Sequence, residues 1–451
     1  MPSSDMCEMG GSELHFWTKP REFFPKASEI LYSGFLYCQD SLSFGFAPQF
    51  YVLTNTKLLQ VMWWTEDRVQ FLEGKMSWAT VEPFEDKDDK QSRFGFRLKC
   101  GEWGDDFYVS DSGELDQWLL ALAQVAIMTD LKNDYEMLGE IGRGGQSIVY
   151  MAVDKANGGK VAVKSYAKPT LLRSLKRKNS LRSEIDILRT ISHTSLLRLH
   201  RVYESASSID LVTDYYEGQV LSTALSTPFT ETEALGFMVK LMDILQYLES
   251  EHIVHRDIKP ANIVLTNPAD RTQFQLLDFG LALRCEGTDL CDTSGSPGYF
   301  APEILRKRKH GIKADIYAAG IIFYTLITGT NPFLSPSCSE TLRRNCENDI
   351  SFNSQIWQGI SSPVISIIRV MTNLNPDQRM SARDLSTWLG HVCARKSHSK
   401  SDRRNSYGKS KQTLREVMGT ATPHIFTLVK CELFTNIRRR SSFSCTQNAV
   451  K

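Results

Sequence analysis

Five short strings, fixed in order between Ile141 and Glu303, constrain this chain more than any other feature of its sequence. They are Ile141-Gly-Arg-Gly-Gly-Gln-Ser-Ile-Val149, Val161-Ala-Val-Lys164, His255-Arg-Asp-Ile-Lys-Pro-Ala-Asn262, Asp278-Phe-Gly280 and Ala301-Pro-Glu303. Gly142 and Gly144 carry no Cβ, so the backbone can approach a polyphosphate closely, and Val149 would lie over a flat base. Ile141, Arg143, Gly145, Gln146, Ser147 and Ile148 complete that stretch. A dinucleotide site would need a crossover helix and an acidic residue soon afterwards. Here another strand-like run follows, ending in Lys164. Its ammonium can pair phosphate oxygens if an acid holds it in place, and Glu184, in the helical run Ser183-Glu-Ile-Asp-Ile-Leu-Arg189, is the candidate. Asp257 can accept the proton of an incoming hydroxyl, and Lys259 can neutralise charge on a moving phosphoryl. Asn262 and Asp278 offer hard oxygen ligands to Mg²⁺ bridging the phosphates.

In this order the strings resemble the eukaryotic protein kinase family, over about residues 135 to 390. The resemblance implies an α+β, bilobal protein kinase fold, with a β-rich N-lobe and an α-rich C-lobe. It implies ATP and Mg²⁺ as cofactors, and transfer of the ATP γ-phosphoryl group to serine or threonine hydroxyls of protein substrates in intracellular signalling. Lys259, in Asp-Ile-Lys-Pro-Ala-Asn, and Ser296, in Gly-Ser-Pro-Gly-Tyr-Phe-Ala-Pro-Glu, are similar to the serine/threonine branch, in its calcium/calmodulin-dependent-kinase-like group or a related one. By the same match Thr213 is a small gatekeeper beside a roomy inner pocket, and the adenine would hydrogen-bond the backbone from Asp214 to Tyr216. Asp315 would brace the catalytic loop, and Arg379 would pair with buried Glu303.

Three departures bear on activity and its control. Ser147 replaces the family's third glycine, and Ala261 stands where many basophilic members carry glutamate, so basophilic selectivity is not expected. Asp292 falls where many relatives carry a phosphothreonine, with Thr293 and Ser294 as neighbouring candidate phosphosites. Arg256, beside Asp257, would want an anion there, and a carboxylate brings one negative charge where phosphate brings about two. Two rivals from other classes stand against the enzyme: a pseudokinase scaffold and an adaptor led by the front of the chain.

That front, residues 29 to 128, has short alternating runs separated by turn residues, such as Leu31–Cys38, Phe50–Thr54, Lys57–Trp63, Phe94–Cys100 and Asp106–Ser110. The pattern predicts a small β-barrel or sandwich closed by a C-terminal helix, with Ser112 as N-cap and Leu115, Trp118, Leu119, Leu122 and Val125 inward. Strands then helix, with one tryptophan, resemble a pleckstrin-homology domain. Residues 27–56 hold no Lys or Arg, and Glu82, Glu85, Asp86, Asp88 and Asp89 read as an acidic loop. Phosphoinositide binding is therefore not expected, and a protein-interaction or autoregulatory role is. Residues 1–28 read as a flexible arm.

The formal net charge of +1 gives no global field for nucleic acid, but it hides an asymmetry. Residues 391–451 hold 13 Lys/Arg against 3 Asp/Glu, leaving 40 against 49 for the rest. This reads as a basic Ser/Arg-rich regulatory tail on a mildly acidic body. Within it, Pro423 to Arg440 sets Ile425, Phe426, Leu428, Val429, Leu433, Phe434 and Ile437 near one helical face ahead of three arginines. That pattern fits a regulatory helix docking on the kinase or on a partner, a calmodulin target or a membrane surface. Ser180, Ser406 and Ser442 each follow basic residues in the manner of phosphorylation sites. The ten cysteines are scattered, without a Cys-x-x-Cys pair, and no basic region leads into an apolar run at the N-terminus. Both point to a cytoplasmic protein. The best apolar run, Ala318 to Ile327, is shorter than the ~20 residues of a membrane helix and predicts a buried core helix.

Overall fold

The computed structural model describes residues 17–18, 21–22, 25–39, 46–64, 69–88, 91–285, 290 and 292–401. They fall into two compact units, residues 1–226 with 247–296, and residues 227–246 with 297–451.

In the first unit, β1 (Arg21–Glu22) lies at the edge of a run of long antiparallel strands. These are β2 (Ile30–Gln39), β3 (Phe46–Thr54), β4 (Lys57–Trp64), β5 (Val69–Lys75), β6 (Thr80–Asp88), β7 (Gln91–Cys100) and β8 (Trp103–Val109). Their order, β5-β4-β3-β2-β8-β7-β6, brings the first long strand back against the last, with Tyr37 opposite Tyr108 and Cys38 opposite Phe107. Alternation turns Leu36, Phe96 and Phe107 inward, where they are fully buried. Helix α1 (Ser112–Leu122) closes this face with Leu115, Trp118, Ala121 and Leu122 buried. The Trp118 ring meets Tyr32 edge-on at 4.8 Å.

Four sequence expectations change here. The N-cap is Asp111, not Ser112: its carboxylate accepts from Glu114 N at 2.9 Å, while the Glu114 carboxylate accepts from Ser110 N at 3.0 Å. Asp111 prevails because Glu114 stands three residues after it, where the two can cap reciprocally. Two further long strands, β5 and β6, join the five predicted. Glu82, Glu85, Asp86 and Asp88 lie on β6 rather than in a loop: on β7 Arg97 stands opposite Glu82 and Arg93 opposite Asp86, and Lys99 Nζ reaches Glu82 at 3.3 Å. Asp89 is outside the described residues. The arm is partly tied down, since Arg21 pairs with Phe71 and Trp17 packs within 6.3 Å of Tyr51 and 6.1 Å of Trp103.

A two-residue strand, β9 (Ile127–Met128), runs parallel to β6 on one side and to the strand at Leu199–Glu204 on the other. Short helix α2 (Leu131–Asp134) leads into β10 (Tyr135–Arg143), β11 (Ile148–Asp154), β12 (Lys160–Ala167), β13 (Leu199–Glu204) and β14 (Ser208–Asp214). Their order is β9-β13-β14-β12-β11-β10, so one fourteen-stranded sheet runs through the described residues of the unit. Between β12 and β13 come α3 (Lys168–Leu171) and α4 (Leu175–Thr190).

After β15 (Gln219–Val220), α5 (Leu221–Ala224) and α6 (Glu231–Ser250), the unit ends in two small sheets. β16 (Ile253–Val254) pairs with β19 (Leu283–Arg284), and β17 (Ile263–Leu265) with β15 and β18 (Phe274–Leu276). The β16–β17 loop thus carries residues 255–262, and the β18–β19 loop carries residues 277–282 beside it. Leu277 N donates to Asn262 O at 2.8 Å between them.

The second unit is helical: α6 as far as Gln246, then α7 (Pro302–Leu305), α8 (Ile312–Thr328), α9 (Cys338–Glu347), α10 (Ser362–Met371) and α11 (Ala382–Ser401). α8 is buried from Ala314 to Ile327, as expected of a core helix. A Cβ at Gly320 would lie 2.8 Å from the Met371 and Thr372 side chains, so glycine lets α10 approach α8. No helix among the described residues is long and apolar enough to cross a membrane. α11 continues past residue 390, with Val392 still buried, so the packed body reaches further than the charge pattern suggested. The stretch Pro423–Arg440, with Ser406 and Ser442, lies outside the described residues.

Candidate active site

The Gly-rich stretch is the turn joining β10 to β11. Gly142 pairs with Val149 and Arg143 with Ile148, and Gly144 N donates to Ser147 O at 2.8 Å. A Cβ at Gly144 would meet nothing nearer than 3.7 Å, and one at Gly145 nothing within 4 Å. Gly142, Gly144 and Gly145 all avoid positive φ. Neither packing nor backbone conformation demands these glycines, so what they preserve is open space over the turn. Ile141, Arg143 and Gln146 are exposed, and Ser147, Ile148 and Val149 half-buried. Arg143 Nε is held by Glu140 at 2.9 Å.

Lys164 sits on β12 with its Nζ 2.6 Å from Glu184 Oε1 and 2.7 Å from Asp278 Oδ1. Tyr166, two residues along β12 and on the same face, donates its hydroxyl to Glu184 Oε2. Burial alone would lower the proton affinity of Lys164, but the charges around it, that of Glu184 foremost, hold it well above the usual lysine range. Burial would likewise raise the Asp278 carboxyl, yet Lys164 and the Gly280 N–H hold it down to about 2. The site therefore keeps an ammonium and an ionised carboxylate in contact. α4 is tied to the same loop by its serines: Ser180 Oγ donates to Gly280 O at 2.5 Å and Ser183 Oγ to Ala282 O at 3.0 Å.

Asp257 lies buried in the neighbouring loop. Its Oδ1 accepts from Ser296 Oγ at 2.7 Å, and its Oδ2 from Lys259 Nζ at 2.7 Å and Asn262 Nδ2 at 3.0 Å. Lys259 Nζ also reaches Ser296 Oγ at 2.7 Å. Asn262 Nδ2 bonds the Asp257 carbonyl at 2.9 Å as well, so both amide hydrogens are engaged and its oxygen is the atom left for a cation. His255 supports the loop, packing on Phe279 at 4.9 Å and contacting Leu277 O at 3.2 Å. Arg256 and Asp278 hold φ of 66° and 60°, a sparsely populated region for non-glycine residues.

Arg256 donates to Leu281 O and to Asp292 Oδ1, both at 2.6 Å. Lys176 Nζ, at the start of α4, lies 3.8 Å from the other Asp292 oxygen, which also accepts from Ser294 Oγ. Thr293 is exposed and Ser294 buried. Thr213 is buried on β14 opposite Ala162. Next to it, Asp214 accepts from His200 Nε2 at 2.7 Å and Tyr216 OH at 2.9 Å. Burial would raise its carboxyl, but those two bonds hold it below the usual range.

In the second unit, Arg379 and Glu303 form a bidentate pair at 2.6 and 2.7 Å. Asp315 is buried in the first turn of α8. Thus Lys164, Glu184 and Asp278 meet in one cluster, and Asp257, Lys259 and Asn262 in another. Tyr166 and Ser183 are additions that the sequence did not point to, since no spacing marks a lone hydroxyl, and Ser180, read from its basic neighbours as a phosphorylation site, instead bonds Gly280 O. Ser296 stood in a recognised string, but its link to Asp257 was not read from it.

The model of the protein kinase domain matches residues 135–388. The chain belongs to the protein kinase family. It is 34% identical over 262 residues to "Probable serine/threonine-protein kinase 2" of Plasmodium falciparum, covering 58% of this chain and 50% of that protein. It is 31% identical over 257 residues to calcium/calmodulin-dependent protein kinase type 1B of Rattus norvegicus, covering 56% and 74%. To serine/threonine-protein kinase ATG1a of Arabidopsis thaliana it is 30% identical over 323 residues, covering 71% and 51%. The chain thus spans about half the length of the first and third of these relatives. With such relatives, the matched domain is that of a serine/threonine protein kinase.

Proposed function

We propose that this kinase transfers the terminal phosphoryl of ATP to serine or threonine hydroxyls of protein substrates, with Asp257 accepting the hydroxyl proton. The observation that carries this reading is the packing of Lys259, Asn262 and Ser296 around the Asp257 carboxylate, which fixes it in the loop beside Asp278. The acceptor oxygen would bond to the γ-phosphorus as the bond to the β-phosphate oxygen breaks and the proton passes to Asp257. Lys259 would neutralise charge on the moving group, and Lys164, held by Glu184, would pair the other phosphates. The open turn at residues 142–147 would cover them, and the backbone from Asp214 to Tyr216 would take the adenine. The donor set fits Mg²⁺, because the free Asn262 oxygen and the ionised Asp278 carboxylate are both hard ligands. Asn262 and Asp278 would hold the cation, whose charge would offset that of the phosphates.

Transfer from labelled ATP to a generic basic protein substrate is the test. Asp257→Asn should lower kcat by about 10²–10⁴-fold with nucleotide binding retained. If the unaltered chain bound nucleotide and transferred nothing, the scaffold reading would take its place.

Regulation follows from Asp292. Its bonds to Arg256 and Lys176 support a carboxylate standing where relatives carry phosphothreonine, so we read the enzyme as active before any phosphorylation of Thr293 or Ser294. For residues 29–128, the strand order and closing helix α1 support a pleckstrin-homology-like module, and the absence of Lys and Arg from residues 27–56 supports protein contact over lipid. Kinship to calcium/calmodulin-dependent kinases and the pattern of Pro423–Arg440 support the tail as a docking segment for a partner such as calmodulin.

A further inference from the structure

Helix α4 is gripped on opposite faces. At 3.6 residues per turn, Ser180, Ser183 and Glu184 share the side that meets Lys164 and the Asp278 loop. Arg182 and Arg189, seven residues apart, lie together on roughly the other side. Both arginines reach the front module. Arg189 Nη2 donates to Ala126 O at 2.7 Å and its Nη1 to Ser77 O, so one guanidinium joins the β5–β6 turn to the segment after α1. The Arg182 guanidinium lies 5.0 Å over the ring of Trp78, beside Ser77 in that turn.

The surroundings make this a built contact. Ala79, Val81 and Ile127 are fully buried, and Ile127 N donates to Ala79 O at 2.9 Å. Strand β9 then passes the hydrogen-bond ladder from β6 to β13 through Thr80–Ile127, Val81–Met128 and Tyr203–Met128. Burial pulls the Arg189 guanidinium down to about 10, with Asp186 only partly opposing it. Arg189 is half-buried, and the two carbonyls it serves hold its charge there.

We propose that the front module is an intramolecular holder of α4, and that Arg189 and Arg182 are positioning residues that set the Glu184–Lys164 contact from the opposite side of the helix. The inference rests on the phosphotransfer reading above and adds a regulatory element to it. A partner that binds the front module at residues 77–78 would compete with α4 for the same turn and lower activity, whereas one binding elsewhere on the module would leave the holder intact.

The test uses the full chain. Arg189→Ala, Arg189→Lys, Arg182→Ala, Trp78→Ala and the double variant Arg182→Ala/Trp78→Ala are compared for kcat, KM for ATP, KM for a protein substrate and melting temperature. Arg189→Ala should lower kcat/KM for ATP about tenfold, the scale of a lost charge-assisted hydrogen bond, with KM for the protein substrate unchanged. Arg189→Lys should recover part of that loss. Arg182→Ala and Trp78→Ala should each cost about two- to tenfold, and the double variant no more than either alone. Wild-type ATP kinetics in all variants would overturn the holder, as would losses that simply follow the unfolded fraction. Should Arg189→Ala fail to fold, the half-buried pair Arg182 and Trp78 decides by the same criteria. Failure of the unaltered chain to transfer phosphate would instead sink the enzyme reading, and the two outcomes are distinct.

Discussion

Arg379–Glu303 in the second unit and Lys164–Glu184 in the first are both buried ion pairs, but their supply of partners differs. Arg379 meets both Glu303 oxygens and adds Nε to Asn373 O at 2.8 Å and Nη1 to Lys313 O at 2.9 Å, so four of its five N–H groups are committed. Its plane also lies 5.0 Å over Tyr317. Lys164 instead divides its ammonium between Glu184, which is buried, and Asp278, whose side chain is 44% exposed. A planar guanidinium with every contact internal is a rivet. An ammonium that shares itself with a half-open carboxylate can exchange that partner for a phosphate oxygen. Burial alone would not tell the two apart; the completeness of the shell does.

Substitution should separate them. Arg379→Ala strands the Glu303 carboxylate in a dry interior, which costs about 3–5 kcal/mol for a broken buried pair, and chemical denaturation should report that loss. Lys164→Met should act mainly on the reaction. The methionine fills the volume of the lysine stem, Glu184 keeps the Tyr166 hydroxyl, and Asp278 keeps the Gly280 N–H at 3.1 Å. Transfer should then fall about 10²–10³-fold, with a smaller loss of stability than Arg379→Ala brings. The contrast fails if Lys164→Met unfolds as readily as Arg379→Ala, or if Arg379→Ala leaves the denaturation midpoint where it was.

The two clusters were legible in the sequence for a chemical reason. Phosphate and a divalent cation accept few side chains, so in the role proposed for them Lys164, Asp257, Asn262 and Asp278 would have to appear as themselves, in strings that neighbouring strands then bring together. Packing leaves no such choice of letters. β6 was misread because its acids looked like a solvated turn until Arg97 and Arg93 were set across from Glu82 and Asp86 on β7. β9 was invisible, since two residues carry no period, although it joins β6 to β13. Arg189 is an ordinary helix charge in the text; its acceptors are backbone carbonyls more than 60 residues away, and a carbonyl leaves no mark in a sequence. Asp111 and Ser112 are both good caps side by side, and only the position of Glu114 decides between them.

A third ion pair tests how far the contrast extends. Arg256 is buried, but Asp292 has a side-chain exposure of 38% and a second cation, Lys176, at 3.8 Å. It resembles the Lys164 pair in its openness and the Arg379 pair in using a guanidinium, so its loss should be the mildest of the three. Asp292→Ala removes the carboxylate but leaves Arg256 its bond to Leu281 O at 2.6 Å, and solvent can reach the vacated side. The expected result is a fall in kcat of about tenfold, the scale of one charge-assisted hydrogen bond, in chains treated with phosphatase. Thr293→Ala should change little under the same conditions, because the anion already facing Arg256 is a carboxylate. Equal kinetics for Asp292→Ala and the unaltered chain would mean that Arg256 needs no anion. A loss on the scale of Lys164→Met would instead place Asp292 among the groups that the reaction itself requires.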